Sequence, residues 1–298
     1  MLCSVLTDTL LPSQLLGLGS FPLTNLISMM NSHNAINYSD WSVLSFNVRG
    51  INAVAKGNGI HCVIRESNCD IICLQETKKE SFVRADLRRF CPSSFDEFAF
   101  VPSIGNSGGF ITVWNSSKLV GNVVFQNEYA LSVDFFATSS EESWIITNVY
   151  APCSPAGKID FLHWFSNINM PSDKRWVIVG DFNLTRRPEN RNSAGGDINM
   201  MLAFNEAISQ LDLVEIPLHG LSFTWSNKQR EPLLQRLDWF FTSQEWSVCY
   251  PDTLATTLPR DISDHVPCLI SFKSKIPKPK IFRFENFWLQ FDEFMTIF

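Results

Sequence analysis

Residues 176–184 read WVIVGDFNL, an aromatic residue and three β-branched ones followed by Gly180, Asp181, Phe182, Asn183 and Leu184. The apolar run has the composition of a buried strand, and the Gly-Asp pair marks where it stops. A carboxylate set directly after such a run is held rigidly at a sheet edge, where functional groups from several strands can converge. The same arrangement recurs with Asn47 in SFNVRG, Glu76 in CLQET, Tyr150 in NVYAP, and Asp264 with His265 in SDH. Each alone also reads as a turn residue or helix cap, positions that Asn and Asp favour. Together they outline one common rim.

Working outward from that stretch, short β-branched and aromatic runs predict strands over 43–47, 71–75, 98–104, 109–114, 131–136, 144–149, 176–181, 222–225, 237–241 and 266–272. Apolar residues at three- and four-residue spacing predict helices over 53–66, 81–90, 158–169 and 198–210. So many strands exceed what a simple doubly wound sheet holds. The neighbours 98–104 and 109–114, joined across Gly105, Asn106 and Gly108, read as a hairpin and point to antiparallel pairing. The expected fold is α/β (α+β), a four-layer sandwich of two mixed, mostly antiparallel sheets packed face to face with helices outside.

The chain of 298 residues is 45% apolar and 18% charged, enough for one large core rather than a disordered segment. Its net charge of −6 provides no global positive field for a polyanion. The basic residues are clustered, however, with Lys78, Lys79, Arg84, Arg88 and Arg89 on one stretch and Arg186, Arg187 and Arg191 on another. Either cluster could line a phosphate-binding face or simply be a solvated helix face and a polar loop. The eight cysteines lack zinc-type CxxC spacing and read as free thiols in a reducing compartment.

No Lys or Arg precedes Arg49 and no apolar run is long enough to span a bilayer, so a soluble intracellular protein is expected. Residues 1–41 read as a poorly structured extension, upstream of a start near Met29 or Met30. Residues 42–273 form the expected domain. The segment KSKIPKPK and the aromatic stretch after it make 274–298 a linker with a C-terminal tail.

The rim set supplies hard oxygen ligands from Glu76, Asp264, Asn47 and Asn183, with Asp181, Tyr150 and His265 beside them. An oxygen-rich set suits Mg²⁺ or Mn²⁺ better than zinc. His33, His61, His163 and His219 fall outside every motif and receive no role, and the tryptophans, Trp225 and Trp239 included, read as core.

The motifs SFNVRGIN, CLQETK, GGFITVWN, NVYAPC, VIVGDFNL, SFTWSN, QRLDWFF and SDHVPCLI, in this order over about residues 42–272, resemble the endonuclease/exonuclease/phosphatase superfamily. FTWSN, QRLDWFF and the closing FRFENFWL look like the endonuclease domain of plant LINE-type retrotransposons, which is abasic-site endonuclease-like. The end at Phe298 then suggests a truncated element or a domesticated fragment. The resemblance implies that Glu76, with Asn47 and Asp264, holds Mg²⁺, Mn²⁺ being possible, with Asp181, Asn183 and His265 also in the metal-site set. It implies that Asp181 orients or deprotonates the attacking water, that Asn183 bonds the water or the phosphate, and that His265 contacts the phosphate with Asp238 fixing its tautomer. Tyr150 would lie near the phosphate or the leaving oxygen, and Thr224, Ser263 and Arg49 would be substrate contacts. Trp239 stands where related elements often carry Arg, which would remove a phosphate contact, and Cys153 stands at a groove-lining position.

The implied activity is Mg²⁺-dependent nicking of one strand of duplex DNA to leave a 3′ hydroxyl, by a monomer that would act in the nucleus. Two alternatives stay open: a small-molecule, inositol-type phosphatase of the same superfamily, and a noncatalytic relic of a retroelement.

Overall fold

The computed structural model describes residues 40–105, 107–140, 142–169, 174–259 and 262–273. The leader, apart from Asp40 and Trp41, and the tail after residue 273 lie outside the described residues.

In chain order the elements are β1 (Asp40–Asn47), α1 (Val54–Ser67), β2 (Ile71–Gln75), α2 (Arg84–Leu87), β3 (Glu97–Ile104), β4 (Ser107–Trp114), β5 (Leu119–Gln126), β6 (Ala130–Ala137) and β7 (Ser143–Tyr150). They continue with α3 (Pro155–Ser166), β8 (Trp176–Asp181), α4 (Ile198–Gln210), β9 (Val214–Glu215), β10 (Leu218–His219), β11 (Trp225–Ser226) and β12 (Leu234–Gln235). The last are β13 (Asp238–Thr242), α5 (Gln244–Cys249), β14 (Leu254–Thr257) and β15 (Cys268–Lys273). A seven-stranded sheet runs β10-β14-β15-β1-β2-β4-β3 and a six-stranded sheet runs β5-β6-β7-β8-β13-β9, with β11 and β12 forming a separate two-stranded ribbon. Both large sheets are mixed: β1 pairs in parallel with β2 and β7 with β8, and most other pairs are antiparallel.

The layering follows from alternation, because successive side chains on a strand point to opposite faces. In β1 Val43 enters the core between the sheets, while Leu44 and Phe46 pack outward with Ile60 and Ile64 of α1. In β8 Val177 and Val179 face inward, and Ile178 faces Phe161, Phe165 and Phe204 of α3 and α4. The expected four-layer sandwich is the observed one. Each fully buried aromatic ring of this kind contributes roughly 2–3 kcal/mol of burial energy.

Going toward one end of the sandwich, inward positions turn polar: Val43 and Ser45 lead to Asn47, Ile71 and Cys73 to Gln75, Ile146 to Asn148, and Val177 and Val179 to Asp181, all buried. Gln75 Nε2 donates to Asn148 Oδ1 at 2.7 Å, and Asn148 Nδ2 donates to the Ile111 carbonyl at 3.1 Å. Gln75 and Asn148 thus tie the two sheets together one layer below the rim. Gly180 has φ +145°, and an added Cβ there would sit 2.0 Å from the Val149 carbonyl oxygen. Only glycine lets β8 approach β7 so closely.

Several elements differ from expectation. The helix expected over 81–90 is a single turn, α2. α3 begins before residue 158 because Ser154 Oγ accepts the Gly157 N–H at 3.2 Å and Pro155 opens the first turn, a start signal overlooked in the sequence. The strand expected over 222–225 shortens to the β11 pair Trp225–Ser226. β15 starts at Cys268, after Pro267, which has no N–H to give the ladder. β5 escaped notice because it is an edge strand whose residues are mostly exposed, so no alternation marks it.

Candidate active site

Asp181 ends β8 and Asn47 ends β1, on opposite sheets. Asn47 Nδ2 donates to Asp181 Oδ2 at 2.8 Å, joining the sheets at the rim, and both side chains are fully buried. Asp181 Oδ1 accepts the Asn183 N–H at 2.9 Å, while Asn183 Nδ2 donates to the Ala151 carbonyl at 2.7 Å and reaches Asp181 Oδ2 at 3.3 Å. His265 lies between two carboxylates, with Nδ1 2.9 Å from Asp238 Oδ2 and Nε2 3.5 Å from Asp181 Oδ2. Asp238 opens β13 directly opposite Asp181 in the antiparallel register.

A second group lies alongside. The Tyr150 hydroxyl donates to Glu76 Oε1 at 2.8 Å, and Lys78 Nζ stands 3.8 Å from Glu76 Oε2. Asp264 Oδ2 accepts both the Trp225 indole N–H at 3.0 Å and the Arg49 guanidinium, and its Oδ1 accepts the Ser263 hydroxyl at 3.3 Å. Glu76 and Asn183 adopt left-handed backbone with φ +49°, and Arg49 does so with φ +52°. That conformation costs about 1 kcal/mol or more per non-glycine residue. Its concentration at these positions marks a place where geometry is maintained at the expense of stability.

Burial disfavours the Asp181 carboxylate and, with the nearby Asp238 charge, outweighs His265, so its pKa rises to about 7. Burial works against the His265 cation, but Asp238 and Asp181 more than offset it and raise its pKa to about 9. Burial also pushes up Asp264, yet His265, Arg49 and the Trp225 hydrogen bond hold it below the usual carboxylate value. Burial beside Glu76 raises the Tyr150 phenol, which stays protonated and so donates to the carboxylate.

Glu76, Tyr150, Asp181, Asn183, Asn47, Asp238, Asp264 and His265 therefore meet on one rim. Thr224 and Ser263 are buried, and their hydroxyls are engaged inside the fold. Thr224 Oγ1 accepts the Leu237 and Asp238 N–H groups at 3.1 Å each, and Ser263 Oγ donates to the Asn47 carbonyl at 2.8 Å. Both position site residues. Trp239 faces the outer layer, its indole N–H donating to the Leu184 carbonyl at 2.8 Å beneath the Arg236 guanidinium. An arginine there would point away from the rim, so the phosphate contact expected of that position is not one this geometry offers. Trp225, expected in the core, instead holds a rim carboxylate through its indole, and its place in a polar loop two residues before Asn227 is the one sequence signal for that role.

Most of the two basic stretches are engaged internally. Lys79 pairs with Asp86 at 3.1 Å, Arg84 with Glu97, Arg186 with Glu215, and Arg89 donates to the Asn52 carbonyl at 3.2 Å. Of these stretches only Lys78 and Arg191 join the cations at the rim, with Arg49, Lys56, Lys158 and Lys228 from elsewhere. Burial and the neighbouring Lys228, Arg49 and Lys78 charges lower the Lys56 pKa against the pull of Asp264, the mark of a locally positive cluster. On the Asp181 side, Lys158 and Arg191 line a cleft of about 200 Å³ with Asn183 and Gln235. An acidic centre is thus flanked by cations on two sides, although the whole chain is acidic.

The oxygens of Glu76, Asp264 and Asn47 fit a hard divalent ion. Asp181, Asp238 and His265 also form a buried group with ligand atoms within 4.8 Å of one another. Both His265 nitrogens, however, already face carboxylates, so this second group works more naturally as a proton-handling chain.

A two-sheet sandwich thus carries a buried Asp-His-Asp chain beside strand-end carboxylates. The model of the Endonuclease/Exonuclease/phosphatase family matches residues 44–265, and the chain belongs to that family, whose members are hydrolases and often nucleases. Among solved structures it is similar to the AP endonuclease LMAP from Leishmania major, at 16% identity and TM-score 0.63 over 78% of this chain and 88% of that one. It is also similar to the endonuclease domain of TRAS1, a telomere-specific non-LTR retrotransposon, at 13% identity and TM-score 0.58 over 80% and 100%. The Xenopus laevis APE2 catalytic domain aligns at 18% identity and TM-score 0.57 over 80% and 94%. No curated protein matches the chain significantly by sequence.

Proposed function

We propose that this chain is a Mg²⁺-dependent phosphodiesterase that nicks one strand of duplex DNA and leaves a 3′ hydroxyl. The observation that carries the reading is the convergence of Asn47, Asp181, Asn183, Asp238 and His265 with Glu76, Tyr150 and Asp264 on one rim flanked by cations. Glu76, Asp264 and Asn47 would hold the ion, which when bound supplies Lewis-acid stabilisation of the charge developing at phosphorus.

Asp181, held by Asn47 and Asn183, takes the proton of the attacking water on its carboxylate, where Oδ1 has a single donor, the Asn183 N–H. A pKa of about 7 suits that task at neutral pH. His265, kept as the cation by Asp238, offers its Nε2–H to a phosphate oxygen, and Tyr150 donates toward the same region. Two flanking sets of cations suit a strand that crosses the centre better than a single compact phosphate cluster, which favours DNA over an inositol-type substrate. Acting on DNA also implies a nuclear site of action.

The test is conversion of supercoiled plasmid to open circle by purified protein with Mg²⁺, with EDTA and the Asp181→Ala, His265→Ala double variant as controls. Metal-dependent nicking that disappears in the variant supports the reading. Absence of nicking by folded protein in both Mg²⁺ and Mn²⁺ refutes it.

A further inference from the structure

We propose that Arg49 is a resident cation of the metal-binding face, whose guanidinium occupies the Asp264 carboxylate that a divalent ion would use and so sets the affinity of the site for that ion. The proposal rests on the reading above that Glu76, Asn47 and Asp264 hold the ion.

Three features carry it. The first is the crowding of Asp264 Oδ2. It accepts the Arg49 guanidinium together with the Trp225 indole N–H at 3.0 Å, whereas Oδ1 has only the Ser263 hydroxyl at 3.3 Å, whose proton is shared with the nearer Asn47 carbonyl at 2.8 Å. The Asp264 side chain is only 9% exposed, so little water is available to exchange with these donors. An ion that binds through Oδ2 has to displace one of its two donors, and Arg49 is the charged one.

The second is a division of mobility within Arg49. Its backbone is fixed, because the Arg49 N–H donates to Asn47 Oδ1 at 3.1 Å and the Gly50 N–H donates to the Glu76 carbonyl at 2.6 Å. Its side chain is 54% exposed and can turn into solvent without uncovering core. Trp225 and Ser263, in contrast, are built into the wall of the site.

The third is charge. A guanidinium keeps its proton at all accessible pH, so it can leave Asp264 only by moving. The exchange is a swap of cations on one carboxylate, with no proton transferred. Lys78 is the natural comparison. It carries the same charge beside Glu76 but stands 3.8 Å away and leaves Asp264 untouched.

Calorimetric titration of Mg²⁺ into the DNA-free protein tests the proposal, using wild type, Arg49→Met and Lys78→Met, each checked for native circular dichroism. Arg49→Met is expected to bind Mg²⁺ on the order of ten-fold more tightly, as loss of a unit charge in contact with the Asp264 carboxylate implies, and Lys78→Met is expected to gain distinctly less. Arg49→Gln, a second neutral variant, carries the same expectation if the Met variant folds poorly. Unchanged or weaker binding in the Arg49 variants overturns the proposal and leaves the metal site standing. An equal gain in Lys78→Met also overturns it, since Arg49 would then be only one background charge. If no variant binds Mg²⁺ or Mn²⁺, the metal reading fails and the proposal fails with it.

Discussion

Asp181 and His265 are both fully packed, and in both the folded state binds its proton more tightly than the free side chain does. A raised pKa contributes stability that is complete below the unfolded value and is lost as pH rises through the folded one. The Asp181 contribution therefore declines from about pH 4 to about 7, and the His265 contribution from about 6.5 to about 9. Thermal unfolding in EDTA across pH 4–10 is expected to show stability falling in those two windows; a melting temperature that rises from pH 7 to 9 contradicts the assignment. Catalysis needs Asp181 without its proton and His265 with one, so nicking is expected to increase toward about pH 7 and to decline above about 9. Asp181→Asn removes a buried charge but keeps one acceptor oxygen, which can serve Asn47 or the Asn183 N–H and not both. The lost charge burial and the unpaired donor offset each other, so the fold is expected to keep its stability within about 1 kcal/mol while nicking falls by about 10²–10⁴-fold. Melting curves and initial rates on the same preparation check both halves.

At the scale of elements, the site depends on how β7 and β8 lie together and on how α3 leaves β7. Gly180→Ala would drive a Cβ into the Val149 carbonyl at a positive φ. A loss of about 3 kcal/mol or failure to fold is expected, whereas an ordinary melting temperature would mean that the strand contact is looser than described. Ser154→Ala removes only the α3 cap and is expected to cost about 1 kcal/mol without disturbing Asp181; chemical denaturation measures it. β2 and β8, buried on both faces, and α4, whose buried residues recur at helical spacing, coincide with the stretches expected from their patterns. The edge strand β3 was legible too, but β5, the four-residue β14 and the two-residue strands β9, β10 and β12 were not, because they are held by neighbours rather than by their own alternation.

For the whole molecule the net charge of −6 opposes DNA, so binding has to rest on the local cations around the rim. Each phosphate contact contributes about −0.9 to the slope of log affinity against log salt. Lys158→Ala is expected to weaken duplex binding and to flatten that slope by about one contact, as read by fluorescence anisotropy over a salt series. An unchanged slope would remove the Lys158 and Arg191 cleft from the path of the strand. Among the described residues no helix is long and apolar enough to cross a membrane. What the sequence by itself determined was local: the period-two apolar runs, the faces they bury, and the polar residues stationed at their ends, Asn47, Glu76, Tyr150, Asp181 and Asp264. Which of those ends would touch was decided only by the stacking of the two sheets. Asn47 meets Asp181 from 134 residues away, and Arg49 meets Asp264 from 215. Strand pattern encodes face and direction but carries no information about the partner across the core, and so the roles of Trp225, Arg49, Thr224 and Trp239 emerged only from packing.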